Sequence, residues 1–162
     1  MIKQAIYKSP VGNVLIKAEG PILIEVKFYA GEIDRNDSSR VIDDCIKQLK
    51  EYFNKKRTDF NLPLFITGTG FQKDVWNAVS RIPFGKTASY KDIGISLDNL
   101  GAIRAIGKAN GDNKFHIIIP CHRIIGTNGS LTGYAGGLEV KKKLLIHEEA
   151  LSDNQLAFSF EK

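Results

Sequence analysis

The stretch that most constrains this chain runs from Asn113 to Arg123, N-K-F-H-I-I-I-P-C-H-R. A short apolar run, Phe115 to Ile119, stops at Pro120, and Cys121, His122 and Arg123 follow without a gap. Such a run reads as a buried strand. Proline has no amide hydrogen to give to a ladder, so pairing is expected to break at Pro120. The chain therefore presents a thiol, an imidazole and a guanidinium together at the end of a rigid element. Segments of this kind commonly display reactive groups.

The rest of the chain sets the context for that strand end. Its 162 residues suffice for one domain with a full core or for two small ones. With 43% hydrophobic and 25% charged residues, the balance is that of a globular protein rather than a disordered chain. No window reaches the length of a membrane span, so no membrane association is expected. The N-terminus, M-I-K-Q-A-I-Y-K-S-P, lacks the apolar centre of a secretion signal. The two cysteines, Cys45 and Cys121, lie far apart and share no zinc-binding spacing with His116, His122 or His147. A reducing, cytoplasmic location is expected.

The net charge of +5 favours an anionic partner. Most of it sits in residues 71–123, where eight basic residues (Lys73, Arg81, Lys86, Lys91, Arg104, Lys108, Lys114, Arg123) face four acids (Asp74, Asp92, Asp98, Asp112). Charge alone equally fits a solvated basic face.

Taken in order, residues 2–8, 13–18 and 22–28 read as strands of an antiparallel meander, with turns at Pro10–Asn13 and Glu19–Pro21. Ile22, Ile24, Val26 and Phe28 would form the apolar face of the third strand. Ser38 or Ser39 would cap a helix reaching about Phe53, with Val41, Ile42, Cys45, Ile46, Leu49 and Phe53 inward. Cys45 on that face reads as a small core residue. Residues 54–70 are loop-like and separate an expected N-terminal domain, 1–66, from a C-terminal one, 67–162. In the second domain, helices are expected over Phe71–Arg81, from Tyr90 (capped by Ser89) to about Leu97, and over Ala102–Ala109, where Asn110-Gly111 would end the last. The second and third of these form a helix-turn-helix pattern, with Arg104 and Lys108 on one face. Gly126-Thr127-Asn128-Gly129 reads as a hairpin turn. A final helix, Leu138 to Ala150, would turn Leu138, Leu144 and Leu145 inward and Lys141, Lys142 and Lys143 mostly to solvent. The expected fold class is an α/β N-terminal lobe, an antiparallel sheet plus helix, followed by a mostly helical lobe with the helix-turn-helix and the cysteine.

Cys121 beside His122 suggests a nucleophile and its base. Neighbours on an extended strand point to opposite faces, so direct contact between them is awkward. Either the backbone bends after Pro120 or a water carries the proton. The base also needs an orienting carboxylate, and Glu148 or Glu149 could supply it. A buried histidine on a backbone carbonyl is the competing reading of His122.

I-I-I-P-C-H-R-I-I resembles the active-site signature of the O6-alkylguanine-DNA alkyltransferases. F-Q-K-D-V-W at 71–76, I-P-F-G-K-T-A-S-Y at 82–90, R-A-I-G at 104–107, Y-A-G-G-L at 134–138 and L-L-I-H-E at 144–148 resemble further motifs of that family, in the same order. The resemblance covers about residues 69–149; over the first lobe it extends only to size and the strand-then-helix pattern.

The resemblance implies a suicide DNA-repair protein. It would flip O6-alkylguanine out of duplex DNA and transfer the alkyl group irreversibly to Cys121, once per molecule. His122 would take the thiol proton through a water, held by Glu148, and Tyr90 would donate to N3 of the departing guanine. Arg104 would fill the gap in the duplex, with Ser89, Ala105, Gly107 and Lys108 at the DNA surface. Trp76, Ile124, Tyr134, Ala135 and Gly136 would line the pocket, and the carbonyls of Cys121 and Ile124 would receive the base's amino group. Asn113 would be the hinge between the helix-turn-helix and the active-site strand. The partner would be double-stranded DNA, met by a monomer with no metal and no cofactor.

The chain departs from the family pattern at two positions. Lys114 stands where a proline usually follows the hinge asparagine. Ala135 stands where a small hydroxyl residue often follows the pocket tyrosine, which leaves only a backbone donor for O6. Three other readings compete. An alkyltransferase-like binder would lack the cysteine. A helix-turn-helix regulator would carry polar base-reading residues where Ala102-Ile103-Arg104-Ala105-Ile106 has few. A cysteine hydrolase would not need Arg104.

Overall fold

The computed structural model describes residues 1–150, and the chain divides into two compact units, Met1–Ile66 and Thr67–Lys162. Residues 151–162 of the expected second domain lie outside the described residues.

In the first unit, β1 (Ile2–Ser9), β2 (Gly12–Glu19) and β3 (Ile22–Phe28) form an antiparallel sheet in that order. The buried face of β3 differs from the expected alternation. Lys17 pairs with Glu25 but Ala18 with Leu23, so Ile24 is the extra residue of a bulge. One extra residue switches the faces on either side of it. Leu23 and Val26 are therefore both fully buried, while Ile22 and Ile24 are not. Helix α1 (Arg40–Phe53) covers the sheet, capped by Ser39, whose hydroxyl accepts from the Ile42 amide at 3.2 Å. Its buried stripe is Val41, Ile42, Cys45, Gln48, Leu49 and Tyr52. The helical repeat from Cys45 and Gln48 lands on Tyr52, so Tyr52 and not Phe53 closes the face. Gln48 belongs there because its amide exchanges two 2.9 Å hydrogen bonds with the backbone of Asn61. Cys45 is completely buried, and burial pushes its thiol up to about 12, as befits a core residue.

In the second unit, α2 (Gly70–Ser80) begins at a capping box: the Thr69 hydroxyl accepts from the Gln72 amide, and the Gln72 side chain accepts from the Thr69 amide. The same device starts α3 (Tyr90–Ser96), with Ser89 and Asp92 bonded reciprocally at 3.0 and 2.8 Å. A 3₁₀ turn, Leu100–Ala102, leads into α4 (Ile103–Gly111). The helix runs two residues past Ala109 and ends at Gly111; Asn110 is buried in its last turn, with its side-chain amide on the Cys121 carbonyl, 3.2 Å away. Helices α2 and α3 both pack on α4. Two short strands, β4 (Ala88–Ser89) and β5 (Ile124–Ile125), pair in parallel. Gly129 donates to the Gly126 carbonyl at 2.8 Å, so the expected turn forms. It does not build a hairpin: among the described residues β5 pairs with β4 and not with a strand after the turn. Helix α5 (Leu138–His147) follows, and no helix among the described residues is long and apolar enough to cross a membrane.

Two expectations fail at the heart of this unit. The apolar stretch 115–119 is buried but is no strand. Ile118 donates to the His116 carbonyl at 2.8 Å, a γ-turn centred on Ile117 at φ 71°. This is the rarer, strained hand of the turn, and a β-branched residue there costs about 1–3 kcal/mol. Cys121 donates to the Ile119 carbonyl at 2.7 Å, a second γ-turn of the common hand centred on Pro120 (φ −79°, ψ 61°). Cys121–Arg123 then form a single 3₁₀ turn. The second failure is on α5. Leu138 is 37% exposed, whereas Lys141 is completely buried with Leu144 and Leu145. The buried face is set by positions 141, 144, 145 and 148, and Leu138 lies beyond its end.

Candidate active site

The two γ-turns hold Cys121 in place, and Asn113 ties them together. Its side-chain amide donates to the carbonyls of Phe115 (3.3 Å) and Ile119 (2.9 Å) and to Cys121 Sγ (3.1 Å). Its Oδ1 accepts from the Phe115 amide at 2.9 Å. One buried side chain thus supplies partners that a strand would have offered, which is why the run can bury itself without a ladder. Lys114, in the place of the expected proline, is exposed and leaves this bonding intact.

The 3₁₀ turn bends the backbone over Cys121–Arg123, so these neighbours are not the opposite-facing pair of an extended strand. His122 is fully buried, and its Nε2 lies 2.8 Å from Glu148 Oε2. Arg123 donates from Nε to Glu148 Oε1 (2.8 Å), from Nη2 to Glu148 Oε2 (3.0 Å) and from Nη1 to the Ile82 carbonyl (2.6 Å). Burial would raise the Glu148 carboxyl, but the His122 hydrogen bond and the Arg123 guanidinium outweigh it and hold the carboxyl well below its usual range. Burial lowers His122 below its ordinary value, against the pull of Glu148. An ionised carboxylate facing a neutral imidazole requires the proton on Nε2. Nδ1 is then a bare acceptor, buried and without a hydrogen-bond partner among the described residues.

Cys121 is buried, and burial pushes its thiol up to about 11. The Asn113 hydrogen bond, the Lys141 charge and the Tyr134 hydroxyl work in the opposite direction. The Tyr134 ring lies 5.4 Å from that of His116. Lys141 donates from Nζ to the carbonyls of Ile124 (2.5 Å) and Thr132 (3.2 Å). Tyr90 is half-buried, and its hydroxyl is 2.8 Å from Thr132 Oγ1. The β4–β5 pair sets this side of the site, because Ala88 and Ser89 lie opposite Ile124 and Ile125, just ahead of Tyr90. Gly85 sits at φ +81°, and a Cβ there would come 3.3 Å from the Glu148 carbonyl. Glycine thus lets the loop after α2 close against that residue.

Cys121, His122, Glu148, Asn113 and Tyr134 therefore meet in one cluster, with Ile124 buried beside them. The Cys121 carbonyl accepts from the Asn110 side-chain amide and from the Ile124 backbone N–H, and the Ile124 carbonyl accepts from Lys141. A carbonyl has two lone pairs, so that of Cys121 is filled, and a base amino group there would have to displace or share one of these donors. Ala135 is exposed and Gly136 half-exposed in the turn before α5. Trp76 is anchored under the helices, its indole N–H donating to the Ala109 carbonyl at 2.7 Å. On α4, Arg104, Ala105 and Lys108 are exposed. Lys108 pairs with Asp112 at 3.2 Å. Gly107 faces inward instead, since a Cβ there would lie 3.5 Å from the Tyr90 ring. The Ser89 hydroxyl is engaged in its capping box. The sequence reading missed Thr132, gave Arg123 no bond to Glu148 and put Lys141 in solvent. The i, i+3, i+4, i+7 spacing of Lys141 with Leu144, Leu145 and Glu148 was the available signal for the lysine.

Residues 70–150 match the family profile "6-O-methylguanine DNA methyltransferase, DNA binding domain", and residues 2–66 match the "6-O-methylguanine DNA methyltransferase, ribonuclease-like domain". The methylated-DNA–protein-cysteine methyltransferase of Methanosarcina barkeri is 41% identical over 150 residues, covering 89% of this chain and 95% of the relative. That of Mycolicibacterium paratuberculosis is 36% identical, covering 96% and 98%. Among solved structures, Mycobacterium tuberculosis OGT in complex with DNA superposes with a TM-score of 0.82 at 35% identity, covering 94% of each chain. With both units matched and relatives aligned over nearly their whole length, the chain belongs to the 6-O-methylguanine DNA methyltransferase family.

Proposed function

We propose that this protein repairs duplex DNA by moving the alkyl group of O6-alkylguanine to Cys121, once per molecule. The observation that carries the proposal is the buried array itself: a thiol held by Asn113 on the same turn as an imidazole whose Nε2 is committed to Glu148 and whose Nδ1 is open. Relatives named methylated-DNA–protein-cysteine methyltransferases, and a similar structure in complex with DNA, support the substrate and the partner.

The chemistry follows from the geometry. His122 Nδ1 takes the Cys121 proton through a bridging water. Glu148, itself held by Arg123, orients the ring and stabilises the imidazolium that forms. Sγ attacks the alkyl carbon, the S–C bond forms, and the C–O6 bond breaks with its electron pair going to the guanine. Tyr90 gives N3 a proton as the base leaves, and the proton held on His122 passes back to the Tyr90 oxygen, so the guanine leaves neutral and both side chains return to their starting forms. The product is a thioether with no activated bond for water to attack, so the protein is consumed. No metal or cofactor is required in this scheme.

A stacked guanine cannot bring O6 to a buried thiol, so the nucleotide must leave the helix at a cost of about a few kcal/mol. The exposed α4 residues Arg104, Ala105 and Lys108 form the surface for that step, with α3 and α4 as a helix-turn-helix in the minor groove. Arg104 fills the gap left by the nucleotide. The reading is of a monomer acting on double-stranded DNA. The test is transfer of a labelled methyl group from an O6-methylguanine duplex. One label per protein molecule, lost in Cys121→Ala, is expected; label retained by that variant, or release of free methanol with repeated turnover, would overturn the proposal.

A further inference from the structure

Lys141 on α5 is a buried charged group that this scheme leaves unused. Lys141 lies in a Lys-Lys-Lys run that charge patterning would assign to solvent, yet it is completely buried. Its ammonium donates to two neutral carbonyls, those of Ile124 and Thr132. Among the described residues no carboxylate forms an ion pair with it. A buried cation without an anion is costly, and a methionine of similar length would fill the same space without that cost. The charge therefore needs a reason beyond packing.

The groups facing it supply one. From the 3₁₀ turn come Cys121 and His122, and the Tyr134 hydroxyl from the loop before α5 lies against Cys121. Behind His122, Arg123 and Glu148 neutralise each other at 2.8 Å. His122 is held neutral by its burial. The unbalanced charge is that of Lys141, and the anion that can form beside it is the sulfur of Cys121. Burial brings the ammonium down to about 8, and the Cys121 charge acts to raise it again. Lys141 lowers the Cys121 thiol in turn. The two hydrogen bonds add a positioning element. Ile124 follows the Cys-His-Arg turn directly, and Thr132 is the partner of the Tyr90 hydroxyl.

We propose that Lys141 is the counter-ion against which the Cys121 thiolate forms, and that the same ammonium positions the turn and the Tyr90 partner through the Ile124 and Thr132 carbonyls. The inference rests on the alkyl-transfer reading of the site. The proton leaves Sγ for His122 Nδ1, Lys141 keeps all of its protons, and thiolate and ammonium stand as a buried pair until the S–C bond forms. Alkylation then removes the anion and leaves Lys141 charged and alone.

Two experiments test this. The first follows carboxamidomethylation of Cys121 by iodoacetamide against pH in the full chain, read on the peptide that contains Cys121, for wild type, Lys141→Met and Lys141→Arg. No guanine is involved, so failure here is separate from failure of DNA repair. An opposite charge at close range shifts a pKa by about 1–3 units, so Lys141→Met should move the midpoint up and slow the reaction at neutral pH by about tenfold or more. Lys141→Arg should recover most of the rate. A Lys141→Met profile that coincides with wild type would overturn the proposal, as would an arginine variant no faster than the methionine one. The second uses wild-type protein labelled with ¹³C-lysine and needs no variant to fold. The Lys141 Cε titration midpoint should fall when Cys121 carries a methyl group, and an unchanged or higher midpoint would overturn the proposal.

Discussion

Replacing Glu148 with glutamine separates the charge of the buried array from its shape. Glu148 is 1% exposed and receives three hydrogen bonds, two from Arg123 and one from His122. Glutamine keeps the volume but leaves the Arg123 guanidinium buried without its anion. Breaking a buried pair in this way costs about 3–5 kcal/mol, a large part of the roughly 5–15 kcal/mol that holds a domain together. With a urea dependence of about 2 kcal/mol per molar, the midpoint should fall by about 2 M. The chain has a single tryptophan, Trp76, and it lies in the second unit, so its fluorescence reports the unit that contains the change. The pH dependence supplies a second check. A carboxyl whose folded value is depressed contributes its full stability above its unfolded value, about 4.3, and loses it as pH falls toward the folded value. Wild type and Glu148→Gln should therefore differ most near neutrality and converge in acid. The amide carries no charge to stabilise the imidazolium that His122 must become, which weakens the base. Alkyl transfer should slow by about a hundredfold or more. A variant with the wild-type midpoint at pH 7 and the wild-type transfer rate would refute the reasoning.

Other substitutions probe the remaining parts. Arg104→Ala should slow repair of O6-methylguanine in duplex DNA far more than reaction with free O6-benzylguanine; equal effects on both would exclude a role in flipping. Asn113→Asp puts a negative charge where an amide now donates to Sγ, so the pH midpoint for Cys121 alkylation should rise, and a lower or unchanged midpoint would count against the Asn113–Cys121 bond. Ser89→Ala removes one half of the α3 capping box and should cost about 1 kcal/mol in urea unfolding, with a null result showing that the cap is dispensable.

Periodicity and punctuation made most of this fold legible. The meander, α1 and the three helices before Asn113 follow from alternation, helical spacing and Ser or Gly at the ends. The errors have identifiable physical causes. Ile24 carries a bulge, which has no signature in a run of branched apolar residues, and so the expected face of β3 holds at Val26 and fails at Ile22 and Ile24. Phe115–Ile119 satisfies every local criterion for a strand. What prevents one is the Asn113 side chain, which takes up the backbone groups a neighbouring strand would have used, and the left-handed conformation of Ile117. Tertiary hydrogen bonds of that kind override local preference. Lys141 was misplaced because a lysine is almost never fully buried without a partner. The cluster of Cys121, His122 and Glu148 could be anticipated because the three carry reactive groups in a recognisable order. Thr132 could not, since a lone hydroxyl beside a tyrosine 42 residues away leaves no trace in the sequence.

The claim on which the rest depends is that Cys121, and not the other buried cysteine, receives the alkyl group. Peptide mass spectrometry after incubation with an excess of O6-methylguanine duplex tests it directly. The peptide containing Cys121 should gain one methyl group in step with loss of the lesion, and the peptide containing Cys45 should remain unchanged. A methyl group on Cys45, or lesion loss with both peptides unmodified, would contradict the account.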